Sequence, residues 1–278
     1  MIVVKICGGL GNQLFQYAIG RTLTGRCGTM LKLELSGVKP PNYRTFALDP
    51  YKAEYQLATA SDVLSAFPRV QERGLHFQPE VLKVNRGAML EGYWQSEKYF
   101  SEISERLREE LDLKDPVSPA ALAAAVAIRR AGPASVAVHV RRYDFARGDN
   151  WFKAPTGEQA GVLPQPPMEL PYFERAIAYL ESRLELLHLF VFSNHPEWCR
   201  DHLRLRHPMT IVDAPLAHEA LWLMSQCRHG VMSNSTLSWW ANWLPRDPHR
   251  IVVAPAAWFT PGTGMENPDL VPARWVQL

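Results

Sequence analysis

Short apolar runs alternate with amphipathic segments along much of the chain, and this alternation restricts the fold more than any other feature. Five such runs are Val136–Val140, Leu189–Phe192, Thr210–Val212, Gly230–Met232 and Ile251–Val253. Apolar residues at helical spacing mark Tyr172–Leu187, Glu197–Leu205 and Glu219–Cys227 between several of them. Strands that are apolar on both faces need cover on both faces. The order therefore predicts a mainly parallel sheet sandwiched by helices, a Rossmann-like unit from about residue 135 onward. The earlier part reads as a less regular α/β unit, with a strand at 2–6, its helix, a second strand near 30–33 and a helical run over 101–111. The Ala-rich segment 119–131 separates the two, and the boundary is expected within 115–132. The chain divides on this reading into domains of 1–130 and 131–278.

A chain of 278 residues that is 47% hydrophobic can bury a full core and is long enough for one large or two medium domains. Thirty basic residues against 28 acidic ones leave a formal charge of +2, far from the balance of a dedicated nucleic-acid binder. No nucleic-acid partner is expected, and an anionic ligand must be met locally. Cys7, Cys27, Cys199 and Cys227 form no C-x-x-C pair, so neither a zinc site nor a disulfide framework is indicated. The start of the chain lacks a secretion pattern, and the apolar segment Ala120–Ile128 is too short to span a bilayer. A cytoplasmic protein is the expectation. A peripheral contact with a membrane surface stays open, and the sequence says nothing of oligomeric state.

Against that background the stretch Cys7–Ala18, CGGLGNQLFQYA, stands out. Gly8, Gly9 and Gly11 suggest a tight strand-to-helix turn whose backbone approaches a ligand. Asn12 is the expected helix cap, with Leu14, Phe15, Ala18 and Ile19 facing a core behind it. The run is not a dinucleotide fingerprint, because the third glycine would fall at Leu14, and no Gly-Lys-Ser/Thr of a Walker loop follows.

Three further runs sit where strands are predicted to end, the edge at which open α/β sheets bind ligands. After 136–140 come His139, Arg141, Arg142, Asp144 and Asp149; an arginine here offers a planar fork of donors to a diphosphate. After 230–232 comes SNSTLSWWANWL, where Ser233, Asn234, Ser235 and Thr236 crowd a helix start and Leu237, Trp240 and Leu244 are expected to face the core. After 189–192 come Ser193 and Asn194, with Pro196 opening a helix. In the first part, Glu91, Trp94 and Gln95 lie in LEGYWQSEKYF, a mixture of aromatic and polar side chains suited to a sugar ring. A phosphorylated ligand beside a carbohydrate points to group transfer from a nucleotide sugar. No Asp-x-Asp occurs and the histidines are scattered, so no metal and no other cofactor is expected, the leaving diphosphate being neutralised by arginine and helix ends.

The motifs GGLGNQLFQYA, EGYWQSEKYF, HVRRYDF, FSNHPEWC and LMSQCRHGVMSNSTLSWWANWL, in this order, resemble glycosyltransferase family 11, the α-1,2-fucosyltransferases, over nearly the whole chain. The resemblance implies a GT-B fold of two Rossmann-like domains facing each other across a cleft, GDP-β-L-fucose as donor, a galactose-terminated glycan as acceptor, inversion at the anomeric carbon and no required metal. It places Arg141 on the donor diphosphate, with Ser235 and Thr236 from the opposite helix. Gly9, Gly11, His139, Ser193, Asn194, Glu219 and Asn234 complete the expected donor side, and Gln13, Glu91, Trp94 and Gln95 the acceptor side. Catalysis is assigned to Arg141 and to Asn12, which would act from the first domain near the fucose. Asp144 and Asp149 are the carboxylates nearest the arginines, although a departing phosphate that takes the acceptor proton would need neither.

The chain also departs from the family's pattern. Tyr143 stands between Arg142 and Asp144 where a glycine is common, and Ala220 occupies the place of an Asp that related enzymes use to read guanine. Glu219 or Asp213 is expected to take over that role. Two rival readings follow, a transferase of the same fold with another donor or linkage, and a protein that binds a nucleotide or glycan without turnover.

Overall fold

The structure is a computed structural model that describes residues 1–39, 44–142, 165 and 167–278. The chain forms two compact units, Met1–Pro116 with Asn267–Pro272, and Val117–Glu266 with Ala273–Leu278. Each unit is an α/β layer structure around a parallel sheet, as the sequence pattern predicts. The Ala-rich helix expected at the end of the first domain belongs to the second unit, and a short segment near the end of the chain returns to the first.

In the first unit the elements are β1 (Ile2–Cys7), α1 (Leu10–Cys27), β2 (Leu31–Gly37), β3 (Gln56–Leu57), α2 (Ala60–Ser65), β4 (Arg69–Gln71), β5 (Met89–Glu91) and α3 (Ser104–Glu110). Among the described residues the strands pair in the order β3-β2-β1-β5-β4, all parallel. Ile2, Val3, Val4 and Ile6 are fully buried, so β1 takes the centre, where both faces are covered. The expected apolar stripe of α1 is core, yet the helix is buried on nearly every side from Leu10 to Thr24. Its polar residues are satisfied inside the unit. Arg21 grips Glu110 through Nε at 2.8 Å and Nη2 at 2.5 Å, and the Tyr17 hydroxyl donates to the same carboxylate. A buried carboxylate shared in this way ties α3 to α1.

The second unit runs α4 (Pro119–Ala131), β6 (Ser135–Val140), α5 (Leu170–Glu181), β7 (His188–Ser193), α6 (Pro196–His202), β8 (Met209–Ile211), α7 (Ala217–Gln226), β9 (His229–Val231), α8 (Thr236–Trp243), β10 (Val252–Ala254) and β11 (Val276–Gln277). The strand order is β11-β10-β9-β6-β7-β8, again parallel throughout. The chain winds outward from β6 through β7 to β8, then returns to the other side of β6 with β9. This is the doubly wound order of a Rossmann sheet, and its reversal lies between β6 and β9. Tyr172, Phe173, Ile177 and Leu180 of α5 pack on Val138, Val191 and Val231 of three neighbouring strands. In α8 the buried aromatics are Trp239, Trp240 and Trp243, whereas Leu237 and Leu244 of the expected stripe are only half-buried. Among the described residues no helix is long and apolar enough to cross a membrane.

Candidate active site

The reversal in the second unit sets three polar strand ends side by side. β6 lies between β7 and β9, pairing Val140 with Ser193 and Val138 with Val231. The loops that begin at Arg141, at Asn194 and at Met232 therefore leave one carboxyl edge together, at the position where doubly wound sheets hold ligands.

What fixes these loops is mostly side chain bonded to backbone. Asn194 Oδ1 accepts the Arg142 backbone N–H at 2.9 Å, and its Nδ2 donates to the Arg142 carbonyl at 2.6 Å. The Arg142 guanidinium lies 4.0 Å from the centre of the Trp198 ring. Arg142 is thus engaged with α6, and Arg141 stands half-buried beside it at the strand end. Below them His139 is buried and shares a 2.9 Å hydrogen bond with the Ser233 hydroxyl, which joins the ends of β6 and β9. Burial, reinforced by the Arg141 charge, lowers His139 to about 3, so its ring is neutral at physiological pH. His139 and Ser233 act as a brace under the edge.

The hydroxyl-rich turn divides its labour. Ser238 Oγ donates to the Ser235 carbonyl at 3.0 Å, and Asn234 Nδ2 donates to the Trp258 carbonyl at 3.2 Å. Ser235 is the N-cap of α8, but its side chain makes no capping bond, and Thr236 is the first helical residue. Ser193, half-buried at the end of β7, accepts the His195 N–H at 3.0 Å.

Glu219 is placed elsewhere than expected. It is buried, and its two oxygens accept the Ser118 N–H at 2.6 Å and the Ser118 hydroxyl at 3.0 Å, which fixes the start of α4. A carboxylate spent on a helix start is not offered to a base edge. Asp213, exposed just beyond β8, is the other carboxylate the sequence singles out, and it lies on the carboxyl edge.

In the first unit the corresponding reversal lies between β1 and β5. Gly8 has φ +75°, and a Cβ there would stand 2.5 Å from Asn12 Nδ2, so the turn requires glycine. The helix starts three residues earlier than the sequence suggests. Gly9 is the N-cap, its carbonyl accepts the N–H groups of Asn12 and Gln13, and Gly11 is buried inside α1. Asn12, released from capping, accepts from Gln95 Nε2 at 3.0 Å and so spans the reversal.

Two of the expected acceptor-side residues have structural posts instead. Gln13 donates to the carbonyls of Gly8 and Thr45, both at 2.9 Å, and accepts the Ala47 N–H at 2.9 Å, which uses its amide to pin segment 45–47. Trp94 is fully buried against Tyr99, so its ring face is not presented to a sugar. Glu91 is half-buried, with Lys5 at 3.8 Å and Arg69 at 3.3 Å. Gln95 is buried, and its Oε1 has no hydrogen-bond partner among the described residues.

Comparison with known proteins identifies the family. The model of the family "Glycosyl transferase family 11" matches residues 73–266, well over half of the chain. The chain belongs to glycosyl transferase family 11. Relatives include an α-1,2-colitosyltransferase of Escherichia coli, 28% identical over the whole of this chain and 99% of its own length. A galactoside α-(1,2)-fucosyltransferase 1 of Rattus norvegicus is 27% identical over 85% of this chain, which spans 61% of that protein. Among solved structures, the α-1,6-fucosyltransferase NodZ soaked with GDP-fucose aligns over 88% of this chain and 92% of its own, at 13% identity and a TM-score of 0.47.

This family 11 glycosyltransferase therefore carries Arg141, Ser193, Asn194 and the Ser233–Thr236 turn on one edge of one unit, and Asn12 with Gln95 on the edge of the other. Tyr143, Asp144 and Asp149 lie outside the described residues. Among the described residues no three His, Cys, Asp or Glu side chains converge as metal ligands. Sequence reasoning passes over Trp198, which takes up Arg142, and Glu72, whose carboxylate reaches across to the loop after β5. The aromatic of PEWC at the start of α6 was a legible signal for the first. A lone Glu among Arg69, Gln71 and Arg73 reads only as a charged strand end.

Proposed function

We propose that the protein transfers L-fucose from GDP-β-L-fucose to the 2-hydroxyl of a terminal galactoside, with inversion at the anomeric carbon and without a metal. The observation that carries this reading is the shared carboxyl edge of the second unit, on which both Arg141 and the turn into α8 lie at the sheet's reversal. A guanidinium fork and the N–H groups of a helix start suit a diphosphate. Negative charge grows on the departing GDP as the sugar bond breaks, and preorganised donors lower the barrier most at that point. Neutral His139 orients the Ser233 turn and adds no charge of its own. Asn12 and Gln95 supply the acceptor side, and Asp144 and Asp149 are the carboxylates nearest in sequence to receive the acceptor proton.

Guanine recognition falls to Asp213 in this reading, because Glu219 is committed to Ser118. Asp213→Asn is expected to weaken GDP binding roughly 10- to 100-fold, the worth of charge-assisted hydrogen bonds to paired N–H donors. Thermal-shift titration with GDP measures it, and an unchanged affinity assigns guanine to another group.

A second reading has specific support, since the colitosyltransferase relative aligns over the full chain. Colitose would then replace fucose on the donor. The deciding experiment incubates the protein with GDP-fucose or a colitosyl donor, in excess chelator, against a panel of β-galactosides, with linkage analysis of products. An α-1,2-fucosylated product is expected. Transfer from the colitosyl donor alone supports the second reading, dependence on added metal contradicts the metal-free mechanism, and nucleotide binding without turnover leaves a binding protein.

A further inference from the structure

Glu72 follows β4 directly, and its backbone N–H donates to the Glu91 carbonyl at 2.9 Å, extending the pairing with β5 by one step. Its side chain then crosses to the turn after β5, where Oε2 accepts the Tyr93 N–H at 2.6 Å and Oε1 the Trp94 N–H at 2.9 Å. That turn needs holding. Trp94 has φ +57°, a left-handed conformation that a bulky residue adopts only when its surroundings over-determine it. Gln16 Nε2 donates to the Gly92 carbonyl at 3.0 Å, and Asn267 Nδ2 to the Gln95 carbonyl at 3.0 Å. The outcome is a buried Gln95 whose Nε2 meets Asn12 Oδ1 while its Oε1 has no hydrogen-bond partner among the described residues. A buried acceptor left open beside an expected catalytic residue is a place for a ligand hydroxyl.

We propose that Glu72 is a positioning residue for the transfer reaction, whose carboxylate sets the 92–95 turn and so presents Gln95, with Asn12, to the acceptor. This inference rests on the transferase reading above and deepens it, since Glu72 has no part in that reading.

The ionisation of Glu72 gives the proposal a signature. Burial raises it to about 7, against the opposing pull of the two amide bonds. The titratable groups that act on it are the Cys7 thiol at the end of β1 and the Tyr99 phenol; burial pushes both upward, so both are neutral near pH 7. The charged side chains of the adjoining strands, Lys5, Glu91 and Arg69, pair with one another. An ionised carboxylate accepts fully through both oxygens, and protonation converts one of them to a hydroxyl. The two amides are then accepted less evenly and the turn is set differently, so kcat/KM should fall as pH drops through about 7.

Stability moves the other way. The folded pKa lies above the unfolded one, so the native state holds this proton more tightly. The Glu72 contribution to stability is complete below about 4.5 and is lost as pH rises to about 7. A role in stability alone would not set activity and stability in opposition.

The test compares pH profiles of kcat/KM for the wild type and Glu72→Gln, with hydrogen exchange of the 90–97 segment in both. Glutamine offers one acceptor and turns an NH2 toward an amide. The variant is expected to lose roughly tenfold in kcat/KM at alkaline pH, to lose the acid limb near pH 7, and to exchange Tyr93 and Trp94 amides faster. An acid limb unchanged in the variant overturns the proposal. If the wild type transfers no sugar, the transferase reading fails by itself, and exchange still decides on Glu72: unchanged protection of the turn overturns its role. Should the variant not fold, the wild type alone serves. Its kcat/KM should fall between about pH 8 and about pH 6, and a flat profile over that range refutes the coupling.

Discussion

Arg141→Ala is expected to lower kcat for transfer from GDP-fucose by roughly a hundred- to a thousandfold while leaving the thermal melt essentially unchanged. The rate effect follows from where charge appears: a guanidinium placed before the reaction begins needs no reorganisation as the diphosphate departs, and loss of one such donor costs on the order of 3 kcal/mol in barrier height. The stability argument is local. Arg141 lies beyond the buried run Val136, Val138 and Val140, half-buried where the loop begins. The loop's first turn is held one residue further on, by the two Asn194 bonds to the Arg142 backbone and by the Trp198 ring. Truncating Arg141 touches none of these. Binding of GDP-fucose should weaken less than turnover, because the ground-state diphosphate carries less charge at the bridging oxygen than the leaving group does. Turnover near the wild-type rate would remove Arg141 from the diphosphate.

The parts of this site that were legible in the sequence are those written in local pattern. The apolar runs foretell β6, β7 and β9, and a polar cluster after each foretells the three tips, because strand ends and helix starts leave composition signals within a few residues. Their convergence on one edge follows from the parallel, doubly wound order, which the same alternation implies. The first unit is less readable. Two- and three-residue strands such as β3 and β4 carry too little periodicity to be recognised.

Residues whose side chains bond to partners distant in sequence were misread for one physical reason. Gln13 looks like a ligand-facing amide, yet it holds Thr45 and Ala47. Glu219 looks like a carboxylate for guanine, yet its partner Ser118 caps the start of another helix of the second unit. Asn12 looks like a cap, yet Gly9 accepts the first helical N–H groups and leaves the amide to Gln95. Spacing along the chain carries no information on such partners. A polar residue in a ligand-rich motif serves the ligand or the scaffold with the same local sequence.

Gly230→Ala is expected to cost about 3 kcal/mol of stability and to lower Tm by roughly 6–12 °C. Gly230 sits in β9 between two strands, opposite Ala137 of β6 and Val252 of β10, so its backbone has no room to retreat. An added Cβ would lie 1.9 Å from Asn242 Oδ1 and 2.8 Å from its Cγ. Asn242 is equally fixed, since Nδ2 donates to the Ser238 carbonyl at 2.8 Å and Oδ1 accepts from Arg250 Nη2 at 2.8 Å. Arg250 in turn donates to the carbonyls of Cys227 and Met224, and although burial lowers it to about 10 it remains charged at neutral pH. Displacing Asn242 combines overpacking with the loss of a charge-assisted bond to a buried cation, each worth about 1–3 kcal/mol. The effect reaches the site because Asn242 belongs to α8, whose first turn faces the same edge as Arg141. Stabilisation by GDP should therefore shrink together with Tm. A double-mutant cycle with Asn242→Ala separates the two causes: Gly230→Ala should cost far less in that background, whereas full additivity would place the clash elsewhere.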